Sequence, residues 1–361
     1  MIIKSIELKN FRNYQDLKLI FDEKTNIFYG NNAQGKTNIL EAVYLSGTTK
    51  SHKGSRDRDM ILFGEQEGHL RTLVQKGSMD YRIDIHLKKN KTKGIAVNGV
   101  PIKKAGDLFG IANFVFFSPE DLSIIKQGPG ERRRFLDLEL CQLDRVYLHN
   151  LVSYNRVVVQ RNKLLKDLCF RKDLEDTLDI WDIQLAEYGE KIINGRENFI
   201  NGLGEILSGI HRNLSGGKED LEIFYEKNVS SGELYNTIRK NRDRDMKMKT
   251  STVGPHRDDL RFAVDEVDIR RFGSQGQQRT AALSLKLSEI ELVKKLIHDT
   301  PVLLLDDVLS ELDHNRQNYL LNSIHDIQTM ITCTGLDEFV NHRFSINKIF
   351  RVFEGSVQNE N

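Results

Sequence analysis

Apolar and polar residues alternate through the first hundred residues, which predicts β-strands joined by short turns. The alternation runs over residues 2–8 and 17–21, and a short apolar run at 25–29 ends at Gly30. Three further segments of the same kind occupy residues 70–75, 81–87 and 94–98. The pair Asn98-Gly99 at the end of the last segment predicts a tight turn.

The periodicity changes in the middle of the chain, where apolar residues recur every three or four positions. One such series covers residues 135–168, a second covers 178–210, and the polar stretch 171–176 separates them. We predict two long antiparallel helices, each roughly 50 Å long for about 35 residues. They form either an arm that projects from the α/β part or a bundle that packs on it.

A mixed, mainly basic run at residues 239–249, RKNRDRDMKMK, predicts a solvated loop, with a mobile or DNA-contacting loop as the alternative. The α/β pattern then returns, with a helix predicted over 278–298, a strand over 301–305 and a C-terminal αβ segment. We therefore predict an α/β domain split by a helical insertion. Its parts are residues 1–120, the insertion 121–250 and residues 251–361.

Composition favours a soluble globular protein. The 361 residues are 39% hydrophobic and 29% charged, and the mean hydropathy is −0.46. The formal net charge of +1 means that any nucleic-acid-binding face is a local patch. Three widely spaced cysteines suggest neither a disulfide framework nor a zinc site.

The distribution of charged and apolar residues along the chain predicts a cytoplasmic protein. Lys4, Glu7 and Lys9 interrupt the apolar residues near the N-terminus, so we expect no signal peptide. The chain has no run of about 18 apolar residues, so we expect no membrane span and no membrane partner.

Residues 30–37, GNNAQGKT, match the Walker A pattern G-x-x-x-x-G-K-[ST] and lie between a predicted strand and a helical pattern. In such a loop, glycines let the backbone wrap a phosphate, and backbone N–H groups and the helix N-terminus attract it. Lys36 reaches the β- and γ-phosphates, and the Thr37 hydroxyl binds Mg²⁺. The predicted ATP-binding residues are Gly30, Asn31, Asn32, Ala33, Gln34, Gly35, Lys36, Thr37 and Asn38.

Residues 302–307, VLLLDD, are four apolar residues followed by two carboxylates, which is a Walker B arrangement. Asp306 is predicted to hold Mg²⁺ together with Thr37. Asp307 is predicted to polarise the attacking water as general base, so that Asp307 and Lys36 are the catalytic candidates. The alternative is that both aspartates cap the next helix.

The segment 272–279, FGSQGQQR, precedes a long helical pattern and the Walker B strand. It is similar to the LSGGQ signature of ABC-type ATPases, aligned over residues 273–277, with Gln275 in place of glycine at the third position. Residues 310–313, SELD, look like the D-loop of the same superfamily. This resemblance implies two ATP molecules sandwiched in a head-to-tail dimer. Ser274, Gly276 and Gln277 of one subunit would then cover the γ-phosphate bound by the other.

Other segments resemble the RecF family along essentially the whole chain. Residues 10–14, NFRNY, resemble the opening of SMC-like heads, in which Arg12 would touch the nucleotide. Residues 118–122, 132–137 and 254–260 resemble segments that are specific to the RecF family. The fold implied is an ABC-type P-loop ATPase head split by a helical arm.

The resemblance to RecF also implies a function. The chain would be a DNA-binding protein of recombinational repair and replication, active in the DNA-damage (SOS) response, with ATP and Mg²⁺ as cofactors. It would form an ATP-dependent homodimer on gapped or junction DNA and assist RecA loading with RecO and RecR. Its DNA binding would not be sequence-specific, and a slow, DNA-stimulated ATPase would act as a switch.

Three positions depart from the broader superfamily. Asp307 stands where many ABC-type ATPases have glutamate, and its shorter side chain places the base further back, which favours slow hydrolysis. The histidine expected after the Walker B strand is absent, and Thr332 or Thr334 takes its place. The region 118–121 is the best candidate for the Q-loop.

The predicted DNA contacts are basic residues in two short segments. They are Lys53 and Arg56, beside Lys50 and Arg58, and Arg132 and Arg133, beside Arg134. The alternative for each is surface charge or a structural ion pair. Two other functions are alternatives: the ATPase subunit of an ABC-type transporter, which the helical insertion disfavours, and an SMC-like structural DNA clamp, whose coiled coil would be far longer.

Overall fold

The computed structural model describes residues 1–324, 326–336 and 347–360. In these residues the strands are β1 Ile2–Phe11, β2 Tyr14–Ile20, β3 Thr25–Tyr29, β4 Glu67–Lys76, β5 Met79–Lys88, β6 Gly94–Val97, β7 Val100–Pro101, β8 Phe114–Phe117, β9 Leu221–Glu226, β10 Asp259–Val264, β11 Val267–Asp268, β12 Val302–Asp306, β13 Thr329–Cys333, β14 Lys348–Phe353 and β15 Ser356–Asn359. The α-helices are α1 Lys36–Thr48, α2 Leu122–Lys126, α3 Pro129–Leu143, α4 Arg145–Asp167, α5 Leu178–Ser215, α6 Leu234–Lys240, α7 Arg242–Met248, α8 Ile269–Phe272, α9 Gln275–Ile297 and α10 His314–Ser323. The strands predicted in the first hundred residues and the turn at Asn98-Gly99 are confirmed.

The chain divides into two compact units. The first contains Met1–Asp121 and Glu289–Asn361, and the second contains Leu122–Ser288. The sequence-based division placed residues 251–288 with the α/β part instead. They group with the helical insertion because β10 pairs with β9, a contact between distant segments that local pattern does not reveal.

The first unit is built on two six-stranded sheets. One is antiparallel, in the order β2-β1-β4-β5-β6-β7. The other has the order β15-β14-β3-β13-β12-β8, and all its neighbours pair in parallel except the hairpin β14-β15. All five residues of β12 are buried, as expected for a parallel strand covered on both faces.

Helix α1, which follows the Walker A residues, packs against strands of both sheets. Its residues from Ile39 to Thr48 are all buried. This explains why its sequence is apolar on nearly every side instead of showing one polar face. The start of α1, and the loop before it, are therefore held by the core of the first unit.

The second unit contains the two long helices predicted for the insertion. Helices α4 and α5 pack along each other, and α5 also contacts β9 and α6. The first helical series is interrupted at Asp144, whose carboxylate accepts a hydrogen bond from the N–H of Val146 and caps α4. Helix α5 has 38 residues. No helix among the described residues is long and apolar enough to cross a membrane.

The prediction of a loop at residues 239–249 was wrong, because α6 and α7 occupy most of this run. Arg242 forms ion pairs with Asp179 and Asp182 of α5. Asp245 is buried and accepts a hydrogen bond of 2.7 Å from Arg161 of α4. Two of the charges that resemble a solvated loop in the sequence, Arg242 and Asp245, are thus paired with charges on α4 and α5.

Candidate nucleotide-binding site

The Walker loop, residues 30–35, connects β3 to α1. Gly30 and Gly35 have φ angles of 150° and 115°, in the region that favours glycine. A Cβ atom on Gly30 would lie 2.3 Å from the carbonyl oxygen of Val352, and one on Gly35 would lie 2.6 Å from Nδ2 of Asn13. Both positions therefore require glycine for the loop to keep its path.

Lys36 is buried at the first turn of α1, with only 4% of its surface exposed. Its Nζ atom donates to the carbonyl oxygens of Gly30, at 2.7 Å, and Asn31, at 3.1 Å. Among the described residues no carboxylate forms an ion pair with Lys36. Because neutral carbonyl groups are weaker partners than anions, a phosphate can replace them.

Strand pairing brings Asp306, the last residue of β12, beside the start of α1. The Thr37 hydroxyl donates to Oδ1 of Asp306 at 2.8 Å, and the Thr332 hydroxyl donates to the same oxygen at 2.8 Å. Burial raises the pKa of Asp306, against the lowering effect of these hydrogen bonds. A cation beside the carboxylate would favour its ionised form.

The residues around Asp306 fit a magnesium ion. Mg²⁺ in nucleotide sites is held by one or two protein oxygens together with substrate phosphates and water. The Thr37 hydroxyl and the Asp306 carboxylate supply that set beside the Walker loop. The described residues contain no group of three or more His, Cys, Asp or Glu side chains placed to bind a metal without such phosphates.

Asp307 follows in the left-handed region, with φ of 53°. Its N–H donates to the Thr332 hydroxyl at 2.9 Å, and its carbonyl accepts from the Ser310 hydroxyl at 2.8 Å. Thr332 therefore contacts both Walker B aspartates, whereas Thr334 is exposed. Of the two threonines left open by the sequence, Thr332 is the one built into this site.

Arg12, predicted to touch the nucleotide, has its guanidinium group engaged within the protein. It donates to both carboxylate oxygens of Glu41 on α1, at 2.7 Å each, to the Asp59 carbonyl and to the Ser55 hydroxyl. Burial would raise the pKa of Glu41, but the hydrogen bonds from Arg12 and Ser51 hold it below its ordinary value. Sequence analysis missed Glu41, because no local pattern marks a glutamate within a helix as the partner of a distant arginine.

The predicted Q-loop region begins at the carboxyl end of β8, which pairs in parallel with β12. The N–H of Ser118 donates to Oδ2 of Asp121 at 2.7 Å, closing a short turn. The D-loop-like segment leads into α10, whose first N–H groups are capped by Asp313. The predicted Q-loop region therefore follows β8, and the D-loop-like segment comes after its partner strand β12, which ends at Asp306.

The signature-like segment lies in the second unit, where Ser274 precedes α9. The Ser274 N–H donates to Oε1 of Gln277 at 2.8 Å, and the Gln277 N–H donates to the Ser274 hydroxyl at 3.2 Å, which is a capping box. Gln275, the departure from the signature, does not have positive φ, so a side chain is tolerated there. Glu219 accepts from Nε2 of Gln277 at 3.0 Å, a long-range contact that sequence analysis missed.

Of Arg132 and Arg133, both predicted to contact DNA, the structure corrects the assignment of Arg132. Arg132 is 1% exposed, forms a two-pronged ion pair with Asp259 at 2.6 and 3.0 Å, and donates to two backbone carbonyls. Arg133 is half-buried and donates to the Asp258 carbonyl at 2.6 Å. Burial, with the nearby charge of Arg196, lowers the pKa of Arg133. Arg132 thus forms a structural ion pair, which was the alternative interpretation, and the assignment of Arg133 to DNA binding stays a prediction.

Lys53 and Arg56 are exposed and form no ion pair with the described residues. They lie in the segment between α1 and the 3₁₀ turn Asp57–Met60. The charge of Lys53 also lowers the pKa of Asp306, although burial of Asp306 outweighs this effect. Lys53 therefore belongs electrostatically to the surroundings of the Walker B residue.

Three features define a P-loop ATPase head of the ABC type. They are a Walker loop before a buried helix, a Walker B aspartate bonded to that helix, and a capped signature-like helix. Residues 2–358 match the family described as the RecF/RecN/SMC N terminal domain. The chain is 65% identical over 358 residues to the DNA replication and repair protein RecF of Agathobacter rectalis, with 99% of each chain covered. It is 62% identical over 363 residues to the protein of that name from Lachnospira eligens, with 100% of each covered.

A solved structure gives the same result. The recombination mediator protein described as RecF-ATP in the RecFOR pathway is 38% identical, with a TM-score of 0.93 over 99% of this chain and 97% of that one. The chain belongs to the RecF family of DNA replication and repair proteins. The predicted family and fold class are thereby confirmed.

Proposed function

We propose that this chain is an ATP-gated DNA-binding protein of recombinational repair that works in the cytoplasm. It binds ATP with Mg²⁺, forms a head-to-tail homodimer on gapped or junction DNA, and assists RecA loading with RecO and RecR. The observation that carries the proposal is the contact of Thr37 with Asp306, beside a buried Lys36 that has no carboxylate partner among the described residues.

Each residue of the Walker site has a distinct role in this proposal. The N–H groups of residues 30–37 and the ammonium group of Lys36 hold the phosphates. The Asn38 N–H donates to the Gly35 carbonyl instead. Thr37 and Asp306 hold Mg²⁺, which neutralises phosphate charge when it is bound. Asp307 accepts a proton from the attacking water, and Thr332 fixes the Asp307 backbone. The short side chain of Asp307 favours slow turnover, which suits a binding switch.

Dimerisation is proposed to act through the signature-like segment. Ser274, Gln275 and Gly276 are exposed at the start of α9. The Ser274 hydroxyl and the N-terminus of a 23-residue helix both favour an anion. A γ-phosphate held by a second copy would supply that anion, so ATP would be required for a stable dimer.

DNA binding is proposed to involve Lys53 and Arg56 and not Arg132. Contacts of this kind neutralise backbone phosphates and carry no sequence information. The affinity for DNA should therefore fall steeply as salt concentration rises, and should depend little on base sequence.

Isothermal titration with ATP tests the nucleotide site directly. Thr37→Val removes the hydroxyl that bonds to Asp306. Thr334→Val is the matched control at an exposed threonine directly after β13. We expect Thr37→Val to lose most of the gain in affinity that Mg²⁺ provides, and Thr334→Val to keep it. Failure of the unchanged protein to bind ATP with Mg²⁺ would refute the proposed function.

A further inference from the structure

The Walker loop is held from outside by two hairpin turns that come from opposite ends of the chain. In the β1-β2 turn, Nδ2 of Asn13 donates to the Gln34 carbonyl at 2.9 Å, and Oδ1 of Asn13 accepts from Asn38 at 2.8 Å. In the β14-β15 turn, the Glu354 N–H donates to Oε1 of Gln34 at 2.5 Å, and the Gly355 N–H donates to the Gln34 carbonyl at 3.4 Å. Gln34 is thus bonded through both its side chain and its backbone.

The two turns also touch each other. Gly355 has φ of 72°, and a Cβ atom built on it would lie 2.5 Å from the Asn13 carbonyl oxygen. This carbonyl oxygen belongs to the backbone, so a Cβ atom on Gly355 could be accommodated only if one of the two turns moved. The position of Gly355 therefore fixes where Asn13 sits against the loop.

A third contact holds the next carbonyl group. The Tyr14 hydroxyl donates to the Gly35 carbonyl at 3.0 Å. Tyr14 is fully buried, and burial raises the pKa of its phenol, so the hydroxyl keeps its proton at neutral pH. The Gly35 carbonyl also accepts from the N–H groups of Asn38, at 2.9 Å, and Ile39, at 3.3 Å, so Tyr14 and the first turn of α1 together fix its direction.

These contacts fix the direction of two N–H groups. In a planar trans peptide the carbonyl and the N–H point in opposite directions. The Gln34 carbonyl points to the hairpin turns, and the Gly35 carbonyl points to Tyr14 and the first turn of α1. The N–H groups of Gly35 and Lys36 therefore point away from these partners. Within the described residues neither N–H has a protein acceptor. N–H groups at this point of a P-loop are those that cradle phosphate.

We propose that Asn13 and the Glu354-Gly355 turn are positioning elements of the nucleotide site, which preset the Walker loop for the phosphates of a nucleoside di- or triphosphate. They act through Gln34 and do not touch the ligand. Without them, a flip of the Gln34–Gly35 peptide would turn a carbonyl oxygen toward a phosphate. The inference rests on the proposed binding of ATP at this loop.

The test compares glycines in two hairpin turns. Gly355 and Gly77 both have positive φ, at 72° and 58°, but a Cβ on Gly77 meets nothing within 4 Å. Gly355→Ala and Gly77→Ala therefore both place alanine at a positive φ, and only the first displaces a turn from Asn13. We expect Gly355→Ala to raise the dissociation constants for ATP and ADP about tenfold, the scale of one or two lost hydrogen bonds. Gly77→Ala should leave both unchanged.

Asn13 gives an independent measurement. Asn13→Ala removes both of its bonds, and Asn13→Asp keeps the shape and the acceptor for Asn38 but loses the donor to Gln34. Each variant should weaken the binding of ATP, GTP and inorganic tripolyphosphate by one common factor, because the proposed role of the loop is to contact phosphates. Melting temperatures show whether each variant is folded. Should Asn13→Ala fail to fold, the comparison of the two glycines still decides.

The outcomes separate the inference from the proposal beneath it. Equal affinities of Gly355→Ala and Gly77→Ala for ATP would overturn the positioning role. So would an Asn13→Asp variant that binds like the unchanged protein, since shape alone would then suffice. If the unchanged protein binds neither ATP nor tripolyphosphate, the proposed nucleotide site itself fails.

Discussion

Buried cations have different partners in the two compact units. In the first unit, Lys36 is 4% exposed and, among the described residues, donates only to two backbone carbonyls. In the second unit, Arg196 is 2% exposed and bonds to Asp137 and Asp258, as well as to a tyrosine hydroxyl and a backbone carbonyl. The first cation can exchange its partners for an anionic ligand, and the second cannot.

The difference shows how to separate a binding residue from a structural one. Burying a charge is costly unless it is paired, so a buried cation with neutral partners keeps capacity for an anion. Arg132 belongs to the structural class because Asp259 already satisfies it. Both kinds of residue lie in distinctive motifs, so the sequence alone does not distinguish them.

The largest effect is expected at Arg196. Arg196→Met leaves the carboxylates of Asp137 and Asp258 without their cation and should lower the free energy of unfolding by about 3–5 kcal/mol. Arg212→Met on the same helix, which breaks an exposed pair with Asp220, should behave like the unchanged protein. Urea denaturation of both variants measures this, and equal stabilities would show that Arg196 is not a structural cation.

Lys36→Met should lose ligand affinity and keep its stability, unlike Arg196→Met, which should lose stability. Lys36 has no carboxylate partner among the described residues, so the variant should fold with nearly unchanged stability. ATP affinity should fall by roughly 10- to 150-fold, the range for a lost hydrogen bond to a charged group. Lys24→Met, at an exposed position before β3, is the control. Calorimetry reports both quantities, and a variant that binds ATP normally would contradict the assignment.

Ser274→Ala is expected to have a smaller effect on stability. It removes the hydroxyl that caps α9, which costs about 1 kcal/mol. If this hydroxyl also faces the partner's phosphate, ATP-dependent dimerisation should be lost while ATP binding by the monomer persists. Light scattering with ATP separates the two effects. A variant that dimerises normally would leave Ser274 as a helix cap only.

The smallest effect concerns pH. Because burial raises the pKa of Asp306 in the folded protein, its contribution to stability is present at low pH and is lost as pH rises through that pKa. Asp306→Asn should therefore stabilise the nucleotide-free protein at neutral pH, and the gain should vanish in acid. Thermal melts across pH test this sign, and a gain that grows in acid would contradict it. In the presence of ATP, the variant should lose the stabilisation that Mg²⁺ gives.

The parts of the site that the sequence predicts are short and contiguous. Contiguous sequence patterns identify the Walker loop with its flanking strand and helix. They also identify the buried strand that ends at Asp306. Residue types within these segments also determine their chemistry. This is why Lys36, Thr37 and Asp306 could be proposed as site residues from the sequence alone.

The parts that the sequence does not predict depend on distant partners. The bond of Glu219 to Gln277 crosses 58 positions, and that of Glu354 to Gln34 crosses 320. Arg132 and Arg242 look like free basic residues because their carboxylate partners are far along the chain. Strand pairing and helix packing decide which charges meet, and neither is visible in local periodicity.

Sedimentation of the Asp307→Asn variant tests the central claim most directly, since slow or absent hydrolysis should preserve the ATP-bound state. The runs are made with and without ATP, and again with a duplex that carries a single-stranded tail. We predict that ATP converts monomer to dimer and that DNA co-sediments only with the dimer. A protein that binds ATP but stays monomeric and ignores DNA would contradict the ATP-gated dimer.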